Sequence, residues 1–177
     1  MSILPALRVA HLPIDQAVWL FPACVAVHFL EELPGFAKWA RCHISPFYTD
    51  SHWRRVHSAG AAAALLSAAT ISIWPSPSTI FLLIAFQVAP MVFNAAFHLT
   101  ASLWTRSYSP GTLSAALLFP ALCSYLVWLA CESRMLNPVS ATAAAITGGT
   151  FHALDLMTTL FFLGRLPRRP KASAPHA

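Results

Sequence analysis

Three short groups of ionisable and amide side chains interrupt otherwise apolar stretches of this chain, and their types suit metal binding and proton transfer. They are His28-Phe-Leu-Glu31-Glu32, Asn94-Ala-Ala-Phe-His98 and His152-Ala-Leu-Asp155. Residues three and four apart share a helix face, whereas consecutive residues diverge by about 100°. His28 and Glu32 can therefore offer an imidazole and a carboxylate to one point, with Glu31 beside them as a proton acceptor. A catalytic zinc site takes three protein ligands and keeps one position open. His98 and His152 are the donors available to complete such a set. Asp155 lies one turn from His152, where it can orient a ligand imidazole, and Asn94 shares a face with His98, where it can hydrogen-bond a substrate or a ligand.

The first group is similar to the H-x-x-E-H arrangement of inverted zinc hydrolases, with a glutamate in place of the last histidine. In this reading zinc is held by His28, Glu32, His98 and His152, and Glu31 takes the proton of a water that attacks an ester or amide. The same mixture of ligands suits non-haem iron, and so an oxygenase or desaturase. Buried histidines and carboxylates can also relay protons or carry a metal ion in a transporter. Each group has a plain structural explanation as well. Glu31 and Glu32 could mark the water interface before Pro34-Gly35, His98 could be a hydrogen-bonded packing residue, and His152 with Asp155 could form a polar pair between helices. The similar depth of all three groups favours the functional reading.

The elements that carry these groups are membrane spans. Of the 177 residues 57% are hydrophobic and only 10% charged, against about 25% charged in soluble domains. Apolar runs at 17–33, 58–74, 79–104, 112–131 and 139–163 are separated by short polar or proline-containing segments. The expected architecture is all-α, a polytopic membrane bundle of about five transmembrane helices in one unit over 1–165, followed by a flexible basic tail at 166–177. No cleavage pattern of small residues closes the first apolar run, so a removed signal peptide is not expected. Cys24, Cys42, Cys123 and Cys131 form no C-x-x-C pair and suggest neither a disulfide framework nor a thiolate site. The net charge of +5 does not imply a nucleic-acid partner, because the basic residues sit in loops beside apolar runs. The partners expected are the bilayer and a lipid or other apolar small-molecule substrate. The polar cluster could form within one chain or across a homo-oligomer.

Two connecting segments add polar groups. Pro34 to His57 mixes Trp39, Phe47, Tyr48 and Trp53 with basic residues and histidines, as in a segment lying along the interface, and His43, His52 and His57 are read as solvated there. Arg106-Ser-Tyr108-Ser-Pro110-Gly111-Thr112 forms a turn in which Thr112 can cap the next helix, while Tyr108 and Arg106 can meet an anionic headgroup or substrate.

His28-x-x-Glu31-Glu32, followed by Asn94-x-x-x-His98 and Tyr108-x-Pro110-Gly111, resembles the HXXEE family of small integral membrane proteins. The resemblance spans the chain from the first helix to the fifth and implies a membrane protein with a suspected enzymatic centre, without naming a substrate.

Five spans put the termini on opposite sides. With the C-terminus inside, nine basic residues (Lys38, Arg41, Arg54, Arg55, Arg106, Arg165, Arg168, Arg169, Lys171) lie in inside segments, against Arg8 and Arg134 outside. That bias predicts an outside N-terminus and an inside C-terminus in a bacterial cytoplasmic membrane, with the polar groups in the cytoplasmic half. Reporter fusions check it: a C-terminal reporter should be active only on the cytoplasmic side, and consistent external activity overturns the orientation.

Overall fold

Prolines set the breaks in the first and third spans. Pro22 has no N–H to offer the carbonyl of Val18, and the chain accordingly turns between α1 (Ile14–Ala17) and α2 (Leu20–Glu32) before continuing as one span. Pro90 acts the same way at the start of α6 (Ala89–Thr105), where the preceding Ile84–Val88 forms a π-helical turn after α5 (Pro77–Leu83). A capping box between Ser76 and Thr79 starts α5.

These elements belong to a computed structural model that describes residues 12–165, with side chains described through Thr159. The remaining helices are α3 (Phe36–His43), α4 (Asp50–Ile73), α7 (Thr112–Glu132) and α8 (Pro138–Arg165). The described residues form an all-helical bundle with no strand. Among the described residues, four helical stretches are long and apolar enough to cross a membrane: Ile14–Glu32, Asp50–Ile73, Pro77–Thr105 and Thr112–Glu132. The fifth expected span falls on α8, whose 28 residues reach about 42 Å, longer than a bilayer core of about 30 Å, but α8 is not one of these four. Leu66, Leu103, Leu117 and Met157 are exposed on the helices, as side chains meeting lipid must be. Basic residues 165–171 and Arg8, on which the expected tail and part of the charge bias rest, fall outside the described side chains.

The long connection differs from its sequence reading. Only its first half is a separate short helix, α3, which buries Phe36, Ala37, Trp39 and Ala40 and exposes Lys38. The second half is already α4: Thr49 accepts from the His52 N–H at 3.0 Å as an N-cap, so His52, Trp53 and His57 ride on the first two turns of a span. At the opposite end the Trp19 indole donates to Ser72 Oγ at 2.7 Å, and Ser72 donates to the Asp15 carbonyl at 2.8 Å, which fastens α4 to the first span.

The rotation of α8 is set by close approach. A Cβ on Gly148 would lie 2.6 Å from the Ala85 carbonyl oxygen and 2.5 Å from the Ala89 Cβ, so α8 seats against the π-helical turn at a distance only glycine permits. Gly148→Leu should destabilise the bundle by about 1–3 kcal/mol or more through overpacking. Thermal unfolding in detergent checks this; an unchanged midpoint would show that α8 is not held there.

Candidate metal centre

Helices α2 and α6 and the N-terminus of α7 bring the first two polar groups together. His28 Nε2 lies 3.2 Å and His98 Nε2 3.0 Å from the same Glu32 oxygen, Oε1. The ligand atoms of His28, Glu32 and His98 all fall within 4.8 Å of one another. Their side chains are only 1–3% exposed, so this is a site enclosed by the bundle and not a hydrated surface cluster. Phe119, Phe36 and Phe97 close around the imidazoles, with ring centroids 4.8 Å from His28 and 5.5 Å from His98.

Hydrogen bonds fix which nitrogens face inward. Ser114 Oγ donates to the Gly111 carbonyl at 3.3 Å and is left to accept from His28 Nδ1 at 3.0 Å. The lone pair of His28 is thereby on Nε2, where the Asn94 amide donates at 3.3 Å. His98 Nδ1 likewise pairs with Ser109 Oγ at 3.1 Å and turns its Nε2 to Glu32. Outer hydrogen bonds that set the tautomer of an inward nitrogen are the usual support of ligand histidines. Gly111 seals the same side. Its φ of 97° and the space of its missing Cβ, which would sit 2.7–2.9 Å from His28 Cε1, Glu32 Cγ and His98 Cε1, exclude any larger residue. Two imidazole nitrogens and a carboxylate oxygen that converge on one another are a donor set that fits a divalent cation such as zinc or iron.

The other named residues fall elsewhere. Glu31 points to the N-terminus of α7: Oε1 accepts from the Gly111 and Leu113 N–H groups at 3.2 and 3.1 Å and from the Tyr108 hydroxyl, and Oε2 accepts from the Ser114 N–H at 2.7 Å. Its acceptor capacity is directed at those donors, and the geometry gives it the part of an N-cap supplied by another helix. Thr112, expected to cap α7, donates its hydroxyl to the Ser109 carbonyl instead. Burial, and next the hydrogen bond to Glu31, raise the Tyr108 pKa above its ordinary value, so the phenol stays a donor at neutral pH. Arg106 is exposed in a left-handed conformation at the end of α6. His152 does not enter the group of three, and no hydrogen bond or ion pair joins it to Asp155, which is exposed.

Two site residues escaped the sequence reading. Trp53 Nε1 donates to Glu32 Oε2 at 2.8 Å, and His57 Nε2 contacts the same oxygen. The available signal was their i, i+4 spacing behind the Thr49-Asp50 cap, which puts indole and imidazole on one face of a helix.

Fold and site together define a helical membrane protein with a buried histidine and glutamate cluster. The chain belongs to the HXXEE family, described as "Protein of unknown function with HXXEE motif", whose family model matches residues 19–129. The motif residues are His28, Glu31 and Glu32. No curated protein and no solved structure matched the chain.

If Glu31 is a cap, Glu31→Ala should lower stability by about 1 kcal/mol, within the roughly 0.5–2 kcal/mol of such losses. Thermal denaturation in detergent reads this out. A midpoint equal to that of the unsubstituted protein would remove the capping role.

Proposed function

We propose that this protein is a membrane-embedded metal-dependent enzyme that acts on a lipid or other apolar substrate, with hydrolysis of an ester or amide as the leading reaction. The observation that carries the reading is the convergence of His28, Glu32 and His98 inside a bundle of apolar helices. Polar groups at such depth are expensive and are kept where they do something. His28 and His98 would hold the cation through Nε2 and Glu32 through Oε1. A bound divalent cation would supply Lewis acidity and lower the pKa of water toward about 7. Ser114 and Ser109 hold the two imidazoles in register, Asn94 brings an amide donor to the same point, and the surrounding phenylalanines exclude water. An apolar substrate would arrive from the lipid side, where the bundle exposes leucines along its spans. The exposed cations Lys38, Arg54, Arg55 and Arg106 flank the end of the bundle that carries the cluster, which agrees with placing that end at the cytoplasmic face.

A second reading, a non-haem iron oxygenase or desaturase, draws on two observations. Two histidines and one carboxylate are the ligand set of that class, and Glu31 is engaged at the α7 N-terminus and not beside the cluster as a base. The metal itself separates the two.

Elemental analysis of the purified full-length protein tests the centre. About one equivalent of zinc supports the hydrolase and about one of iron the oxygenase, and His28→Ala and His98→Ala should each lower occupancy at least about tenfold while His152→Ala leaves it unchanged. Folded, metal-free protein that turns over substrate would overturn the reading.

A further inference from the structure

The two oxygens of Glu32 have separate surroundings. Oε1 faces His28 and His98, at 3.2 and 3.0 Å. Oε2 faces α4, where Trp53 Nε1 lies at 2.8 Å beside His57. An indole nitrogen is a donor only, so the direction of the Trp53 bond is unambiguous. Trp53 is itself firmly seated. It is 7% exposed, its ring stacks on His57 at 4.1 Å and 25°, and its carbonyl receives His57 Nδ1 at 2.9 Å. His57 in turn packs edge-on against Phe29 of α2, at 4.3 Å.

We propose that Trp53 is a positioning residue that commits Glu32 to bind the cation through Oε1 alone. The inference rests on the metal reading given above. A carboxylate free to rotate can chelate with both oxygens and fill two coordination positions. One pinned through Oε2 fills a single position, so two histidines and a monodentate glutamate leave a place open for water or substrate, the arrangement of catalytic and not structural sites. The motif of α2 is thus incomplete without α4: the glutamate is supplied by one helix and its binding mode by another. Trp39 provides an internal comparison. It belongs to the same aromatic cluster and is equally buried, yet its indole Nε1 has no hydrogen-bond partner among the described residues.

Cobalt(II) titration of the full-length protein in detergent, followed by d–d absorption, tests this without any assay of turnover. Trp53→Phe keeps a ring and removes the N–H. It should weaken cobalt binding about 10- to 100-fold and reduce band intensity as coordination number rises, whereas Trp39→Phe should stay within about twofold of the unsubstituted protein. Circular dichroism verifies that each variant retains its helices. A second variant with 3-benzothienylalanine at Trp53, which replaces the N–H by sulfur and keeps the outline of the indole, should reproduce the Trp53→Phe spectrum. Equal behaviour of the Trp53 and Trp39 variants, whether intact or impaired, overturns the positioning role, as does a benzothienyl variant that binds cobalt normally. Folded protein that takes up no cobalt at all overturns the metal reading beneath it.

Discussion

A carboxylate enclosed in an apolar bundle is the constraint around which the rest of this structure is arranged. Removing a carboxylate from water costs several kcal/mol even after relaxation, and the cost is offset only where donors or cations surround it. Glu32 is 3% exposed and meets side chains from two other helices, His98 of α6 and Trp53 and His57 of α4, besides His28 of its own helix. Those contacts in turn dictate what lies behind them. The histidines need Ser114 and Ser109 to hold their rings, and the approach of α7 needs a residue without a side chain at 111.

The neighbouring Glu31 solves a different problem with the same functional group. A helix N-terminus leaves backbone N–H groups without partners, and within a bilayer they cannot be left so. Glu31 accepts from three of them at the start of α7 and from Tyr108, whose phenol remains protonated. Two adjacent glutamates, about 100° apart around α2, thus join that helix to different partners. One organises the buried centre, and the other locks the turn that covers it.

Much of this was readable before any coordinates. Four of the apolar runs coincide with helices long and apolar enough to cross a membrane, to within a few residues except where α4 begins, because length and hydropathy govern them directly. Pairing of the first two polar groups followed from i, i+4 geometry and from the cost of burying charge. Failures arose where rotation or continuity decided the outcome. His152 was expected at the centre because its type was right, but the facing of α8 is fixed by Gly148 against the π-helical turn, and small residues announce no direction. His57 and Trp53 were read as interfacial because polar residues interrupt the start of α4, and a hydropathy pattern begins a span only where polarity stops. Glu31 was assigned a proton because consecutive glutamates look alike in sequence, although one of them faces a neighbouring helix end.

The π-helical turn at Ile84–Val88 has a consequence for how this helix can change over time. Such a turn holds one residue more than the α-helical path would, and one residue corresponds to about 100° of rotation. It therefore works as a phase adjuster between two halves of a single span. The turn itself seats Ala85 against α8, while the half downstream keeps Asn94 turned to His28 and His98 turned to Glu32. Loss of a single residue anywhere in the turn would leave both halves helical and apolar yet bring them out of phase, so a gap here is far more damaging than most substitutions nearby.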